Sequence, residues 1–242
     1  MTAVGRISGS GAAAVLLAAA LTSSCSTGSD GAQGFVPGVQ SRQDAAGRAN
    51  PYENLSELLD NTRYTVGGRP PHPATVAVVT GRFLGLAPGR AFTVEGDDAP
   101  DGTQIGFDSP DALWRTMHAR FAVEQVISGS VSGQEITVGL AFPAQSDLDP
   151  IRKDLLDLGP VALFLERSPV FGYDATLYSV VLDGGLIAPI DAMGGLSLPA
   201  LAPSEAEKLL RESRSVEALK AKARGPHTVI ELDATGTERL PQ

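Results

Sequence analysis

The 242-residue chain contains a single cysteine, Cys25, so no intrachain disulfide can staple it and any fold must rest on a hydrophobic core. Aromatic residues are scarce at 5%, with Trp114 the sole tryptophan, which leaves no ring-rich platform for stacking sugars or bases. The three histidines, His72, His118 and His227, are scattered and offer no zinc-ligand spacing. Basic residues are few as well: of nineteen, only Lys153, Lys208, Lys220 and Lys222 are lysine, against 28 acids and a net charge of −9. That balance argues against nucleic-acid binding, which draws on clustered Lys and Arg, and against electrostatic adhesion to anionic lipid. The apolar run Ala12–Leu21 falls well short of the roughly 20 residues a membrane-spanning helix needs. No nucleophile elbow exists either. Gly129-Ser130-Val131-Ser132-Gly133 puts valine where the serine of Gly-x-Ser-x-Gly would stand.

What is present begins at the N-terminus. Arg6 supplies a weakly positive start, Ala12–Leu21 an apolar core, and Thr22-Ser23-Ser24-Cys25-Ser26 a run of small residues around the thiol. These are the three parts of an export signal. The segment resembles the lipobox of bacterial lipoproteins, whose cysteine takes a diacylglyceryl group and becomes the mature N-terminus. Thr22 departs from the pattern, which usually has leucine three places before the cysteine; here Leu21 lies one step further back. The resemblance implies residues 1–24 as a signal peptide, lipidation at Cys25, and residence on the outer face of the cell membrane. The membrane would then be a partner through the acyl chains, at about 0.8 kcal/mol per buried CH₂. Cleavage there would leave 218 residues and, with Arg6 gone, a charge of −10. The preference for arginine, with abundant Ala and Gly, matches a GC-rich bacterial source such as an actinobacterium.

From Ser26 to Asn50 the composition is Ser, Gly, Asp, Gln, Ala and Arg, with Phe35, Val36 and Val39 isolated. Residues 25–50 therefore read as a lipidated flexible tether, holding the body about 25–30 Å from the lipid. A single β-rich domain is expected over 51–232, with a frayed tail over 233–242. Leu55, Leu58 and Leu59 at i, i+3 and i+4 predict a helix within 51–61. Strands are expected at 75–83, with Gly81 marking a bulge or bend, at 114–127, at 135–140 in a hairpin with the second, at 160–166, at 177–182 and at 186–190. Residues 85–109 read as a long loop with a weak strand at 91–95, and 147–158 as an acidic loop with a helical turn. Ser204 and Glu207 form a capping box predicting one helix that runs to Arg224, where Gly225-Pro226 stops it. His227–Leu232 is a further strand candidate.

The order of these pieces carries a second resemblance. A valine-rich strand ends in Gly81-Arg82. Phe121-x-Val123-x-x-Val126-Ile127-x-Gly129 leads into Ile136-Thr137-Val138. Then follow Leu156-x-x-Gly159-x-Val161-Ala162-Leu163-Phe164-Leu165, and Tyr178-x-Val180 before Gly184-Gly185. This is similar to small OB-like β-barrel domains of exported bacterial proteins, mostly of uncharacterised function. The resemblance covers about half the chain and implies a mainly β fold with flanking helices, a small OB-like barrel with a C-terminal capping helix. Its motifs are structural, so it lends no chemistry. The expected function is a non-enzymatic, membrane-anchored envelope domain that binds an unknown envelope protein or small ligand, without cofactor and without nucleic acid. The alternatives are a structural envelope protein, an enzyme of unrecognised type, or a calcium module. For calcium the weak candidates are Asp97, Asp98 and Asp101 in one loop and Asp147 and Asp149, with Asp154 and Asp157, in another; neither follows EF-hand order. The bland reading of both is a solvated acidic surface.

Overall fold

The computed structural model describes residues 34–46, 50, 52–61, 65–66, 75–93, 104–167, 174–225, 231–232 and 238–239. The signal peptide, Cys25, the first calcium loop with Asp97, Asp98 and Asp101, and both His72 and His227 lie outside them. Among the described residues no helix is long and apolar enough to cross a membrane.

The body is mainly β. Strand β2 (Thr75–Phe92) is its longest element, followed by β4 (Trp114–Gly129), β5 (Glu135–Pro143), β6 (Val161–Glu166) and β7 (Tyr178–Val180). Strand order is β2-β4-β5-β7-β6, and β6 pairs back onto β2, so the sheet closes into a ring. The short β3 (Gln104–Ile105) and β8 (Ile187–Pro189) extend it at β2 and β6. All ring pairings are antiparallel except β5 with β7.

The closure depends on β2 bending. It pairs through residues 77–81 with both β4 and β6, and its register against β4 shifts four times, including between Thr80 and Gly81. At Gly81 a Cβ would lie 1.8 Å from the Ala122 carbonyl oxygen, so the strand can approach its neighbour only without a side chain. The strand does not stop near residue 83. It continues through the Gly- and Pro-containing stretch to Phe92, because bulges absorb residues that an even ladder would reject.

Alternation places Met117, Ala119 and Phe121 of β4 and Ile136, Val138 and Leu140 of β5 in the core, with nearly all of Val161–Leu165 fully buried. Phe83 meets Phe121 edge-on, with ring centroids 5.2 Å apart at 71°. Trp114 is buried at the start of β4, where it pairs with Phe92 and Pro143.

Several helices cover the ring, and here the expectations need correction. Residues 35–46 are not part of a tether: they form helix α1 (Phe35–Ala46) within the compact unit Gly31–Gln242. Phe35 and Val39, one turn apart, are each 1% exposed in the core. Their apolar pair is too sparse to signal a helix by itself; it is the surface beneath that makes it one. The domain therefore starts before residue 51. Helix α2 (Leu55–Asn61) buries Leu55, Leu58 and Leu59, with Asn54 accepting from the Ser56 and Glu57 amides. The expected helical turn in the acidic loop is a full helix, α3 (Leu148–Asp157): Asp147 caps it by accepting from the Asp149 amide, and Ile151 and Leu155 turn inward.

The single C-terminal helix is two. Helix α4 (Pro203–Leu210) starts at Pro203 with no side-chain cap, and helix α5 (Val216–Arg224) starts at Ser215, whose hydroxyl accepts from the Ala218 amide. Between them, Arg214 and Ser215 are taken by the 194–196 turn: Leu196 donates to the Arg214 carbonyl, Val216 donates to the Gly194 carbonyl, and Gly195 bridges Ser215. That pairing interrupts the helix that local sequence favours. A small second sheet joins β1 (Thr65–Val66), β9 (Glu231–Leu232) and β10 (Glu238–Arg239), so part of the expected frayed tail is a paired strand.

Candidate functional site

On β4, positions 116, 118, 120, 122 and 124 point away from the core that Met117, Ala119 and Phe121 enter. The row through His118 is set by register: Ala87 of β2, His118, Gly139 of β5 and Ser179 of β7 are successive cross-strand partners. Three of the four have small side chains, so the imidazole is the one large group in that row.

A bulge of β2 seats the ring. Register shifts between Pro88 and Ala91, and the Thr116 hydroxyl serves the extra residues, accepting from the Arg90 amide at 2.7 Å and donating to the Arg90 carbonyl at 3.0 Å. At Gly89 a Cβ would lie 2.8 Å from His118 Nε2, so the imidazole rests against backbone that only glycine leaves open. His118 is thus half-buried within the sheet. Burial pushes its pKa down from 6.5; the Asp174 carboxylate opposes this and Arg90 adds to it. The ring is accordingly neutral at pH 7.

Asp174 is fixed by its own turn. It accepts from the Thr176 hydroxyl at 2.6 Å and the Thr176 amide at 2.9 Å, and these bonds hold its carboxyl below the usual range, with His118 and Arg167 adding smaller contributions. Arg167 lies 3.9 Å over the Tyr178 ring and donates to the carbonyls of Ala175 and Leu177, tying the two ends of the 167–177 connection together. The Tyr178 hydroxyl accepts from the Ser132 amide at 3.2 Å in the β4–β5 turn.

Towards the hairpin end the face is charged and open. Arg120 makes a two-pronged pair with Glu135 at 2.8 and 3.1 Å, and Arg82 pairs with Glu124 at 3.0 Å, all with side chains half exposed or more. A cleft of about 10 Å³, room for one water, is bordered by Gly139, Leu140, Ser179, Asp183 and Gly184.

An imidazole beside a carboxylate is the orienting half of a nucleophilic relay. The hydroxyl in the same row, Ser179, sits two strands away, about 10 Å at sheet spacing, and donates to the Glu166 carbonyl. That separation is beyond hydrogen-bond reach, so Ser179 is not placed to pass a proton to His118; the row presents an imidazole with guanidinium groups and a carboxylate around it.

The acidic candidates of the second loop do not converge. Asp147 caps α3, Asp149 pairs with Arg152 at 3.4 Å, Asp157 with Lys153 at 2.8 Å, and Asp154 accepts from the Phe35 amide at 3.0 Å. Among the described residues no group of three or more His, Cys, Asp or Glu could hold a metal ion. What sequence reasoning missed is the His118 environment. Gly139 inside the expected strand 135–140 is the one local signal, since glycine there marks a place where something must come close. The chain matches no protein-family model, no curated protein and no solved structure.

Proposed function

We propose that the chain is an exported lipoprotein, anchored through Cys25 at the outer face of the cell membrane, whose body is an OB-like barrel that binds an envelope partner or ligand without catalysis. Support for the barrel comes from strand order. Numbering the ring strands along the chain, they close as first, second, third, fifth, fourth and back to first, with the parallel pair between third and fifth and α3 between third and fourth. That is the Greek-key arrangement of OB-like barrels, whose ligand face is formed by the second and third strands. Here these are β4 and β5.

The observation that supports the binding reading is the cross-strand row at His118, whose neighbours Ala87, Gly139 and Ser179 are small, with Arg90 and Arg120 nearby. The lipidation reading rests on the residues around Cys25 and on the acidic charge, which leaves acyl chains as the means of attachment.

Two experiments separate these parts. Cys25→Ser should move the protein from the membrane to the soluble fraction or leave unprocessed precursor; unchanged membrane association and mass would refute the anchor. Crosslinking in intact envelope should capture a partner with the native chain and lose it with His118→Ala or Arg120→Glu, at unchanged thermal stability. Equal capture by all three would refute the His118 face as the binding surface.

A further inference from the structure

We propose that Met193 is a site of reversible oxidation. Its thioether takes an oxygen atom from a peroxide and becomes the sulfoxide, and the turn that carries it holds the sulfur in solvent without using it in the fold. The inference is independent of the lipid anchor and of the His118 face.

The chain has three methionines. Met1 lies outside the described residues, and Met117 is 1% exposed inside the ring. Met193 is 92% exposed, whereas Leu113, the next most exposed large apolar residue, reaches only 55%. A side chain so fully in water gains almost nothing from burial, so the backbone around it sets its place.

That backbone is held by Asp191. Its Oδ1 accepts from the Met193 and Gly195 amides, both at 2.8 Å. Its carbonyl accepts from the Gly194 amide at 2.9 Å, and its own amide donates to the Gly195 carbonyl at 2.9 Å. A Cβ on Gly195 would lie 2.5 Å from Asp191 Oδ2, so the carboxylate packs against bare backbone. The Gly194 carbonyl accepts from the Val216 amide at 3.0 Å, which ties the turn to the start of α5. Met193 thus contributes its amide to this frame, and its side chain is left outside. On the next residue, Gly194, a Cβ would meet nothing within 4 Å, so no neighbour crowds the sulfur from that side.

Susceptibility of methionine to oxidation follows exposure. The sulfur lone pair attacks one oxygen of the peroxide; the S–O bond forms, the O–O bond breaks, and the departing hydroxide takes the proton and leaves as water. Sulfur gives up two electrons and the peroxide gains them. A thiol-fed methionine sulfoxide reductase removes the oxygen again as water, with the thiols oxidised to a disulfide. The sulfoxide makes an apolar tip polar, and with no packed neighbour to disturb, the change stays at the surface.

Peptide mass mapping of the full chain after hydrogen peroxide treatment tests the site. Met193 should gain one oxygen about 100-fold faster than Met117, which reacts only when the ring opens. Met193→Leu should leave only the slow reaction. The urea midpoint of the chain oxidised at Met193 should equal that of the untreated chain. The two stereospecific methionine sulfoxide reductases, with dithiothreitol, should return the folded chain to its native mass. Equal rates at Met193 and Met117, a lowered midpoint with Met193 alone oxidised, or a sulfoxide that the reductases leave in place would each overturn the proposal.

Discussion

At Gly81 the whole ring turns on a missing methyl group. A Cβ there would fall 1.8 Å from the Ala122 carbonyl oxygen, and the obstacle is backbone, so no side chain can swing aside. Gly81→Ala should cost about 3 kcal/mol, seen as a lowered urea midpoint, because overpacking must be relieved by separating β2 from β4. His118 gives a pH signature. Its folded pKa lies below 6.5, since burial outweighs the Asp174 carboxylate. The unfolded chain then takes up the proton first as pH falls, so stability drops below about pH 6.5 and levels off beneath the folded pKa. His118→Gln should flatten the urea midpoint across that window, while Asp174→Asn should shift the His118 titration, followed by NMR, further down. A His118 titration unchanged by Asp174→Asn would show that the two do not face each other. Gly81 was legible from sequence as a glycine inside a β-branched run. The histidine's surroundings were not, because Gly89, Gly139 and Asp174 are brought to it from three other segments.

Among the elements, local signals worked where the pattern was strong and failed where a neighbour decided. The hairpin of β4 and β5 and the almost wholly apolar β6 follow from alternation and burial and stand within two or three residues of expectation. The C-terminal helix shows the opposite case. Ser204-x-x-Glu207 is a capping box in sequence, yet the helix begins at Pro203 and ends at Leu210, and the operative cap is Ser215 of α5. Ser215→Ala should cost about 1 kcal/mol in urea unfolding, and Ser204→Ala close to nothing. Equal losses would restore the capping box. Composition averaged over a window makes α1 look like tether, whereas two residues on the right surface suffice for a helix: Phe35 and Val39 are both buried. Strand β2 was cut short for a related reason, since Pro88 and Gly89 break an isolated strand but are accommodated by a bulge that Thr116 bridges.

For the molecule as a whole, charge and covalent chemistry set the boundaries. With a net charge of −9 and its arginines Arg82 and Arg120 already paired with Glu124 and Glu135, the protein should show no DNA or RNA mobility shift at about 0.15 M salt. A shift at that salt would return the β4–β5 face to the nucleic-acid readings. Sequence by itself determined the class of the molecule: a β-rich body without disulfides, with export and lipidation as its expectation from the residues around Cys25. These follow from composition, alternation and short motifs, which act along the chain. The tertiary structure decided that the sheet closes on itself through β2 and β6, that α1 belongs to the body, that α4 and α5 are separate, and that His118 lies against Gly89 and feels the charge of Asp174. Each of these depends on contacts between segments far apart in sequence, where the partner's surface, and not local propensity, supplies the free energy.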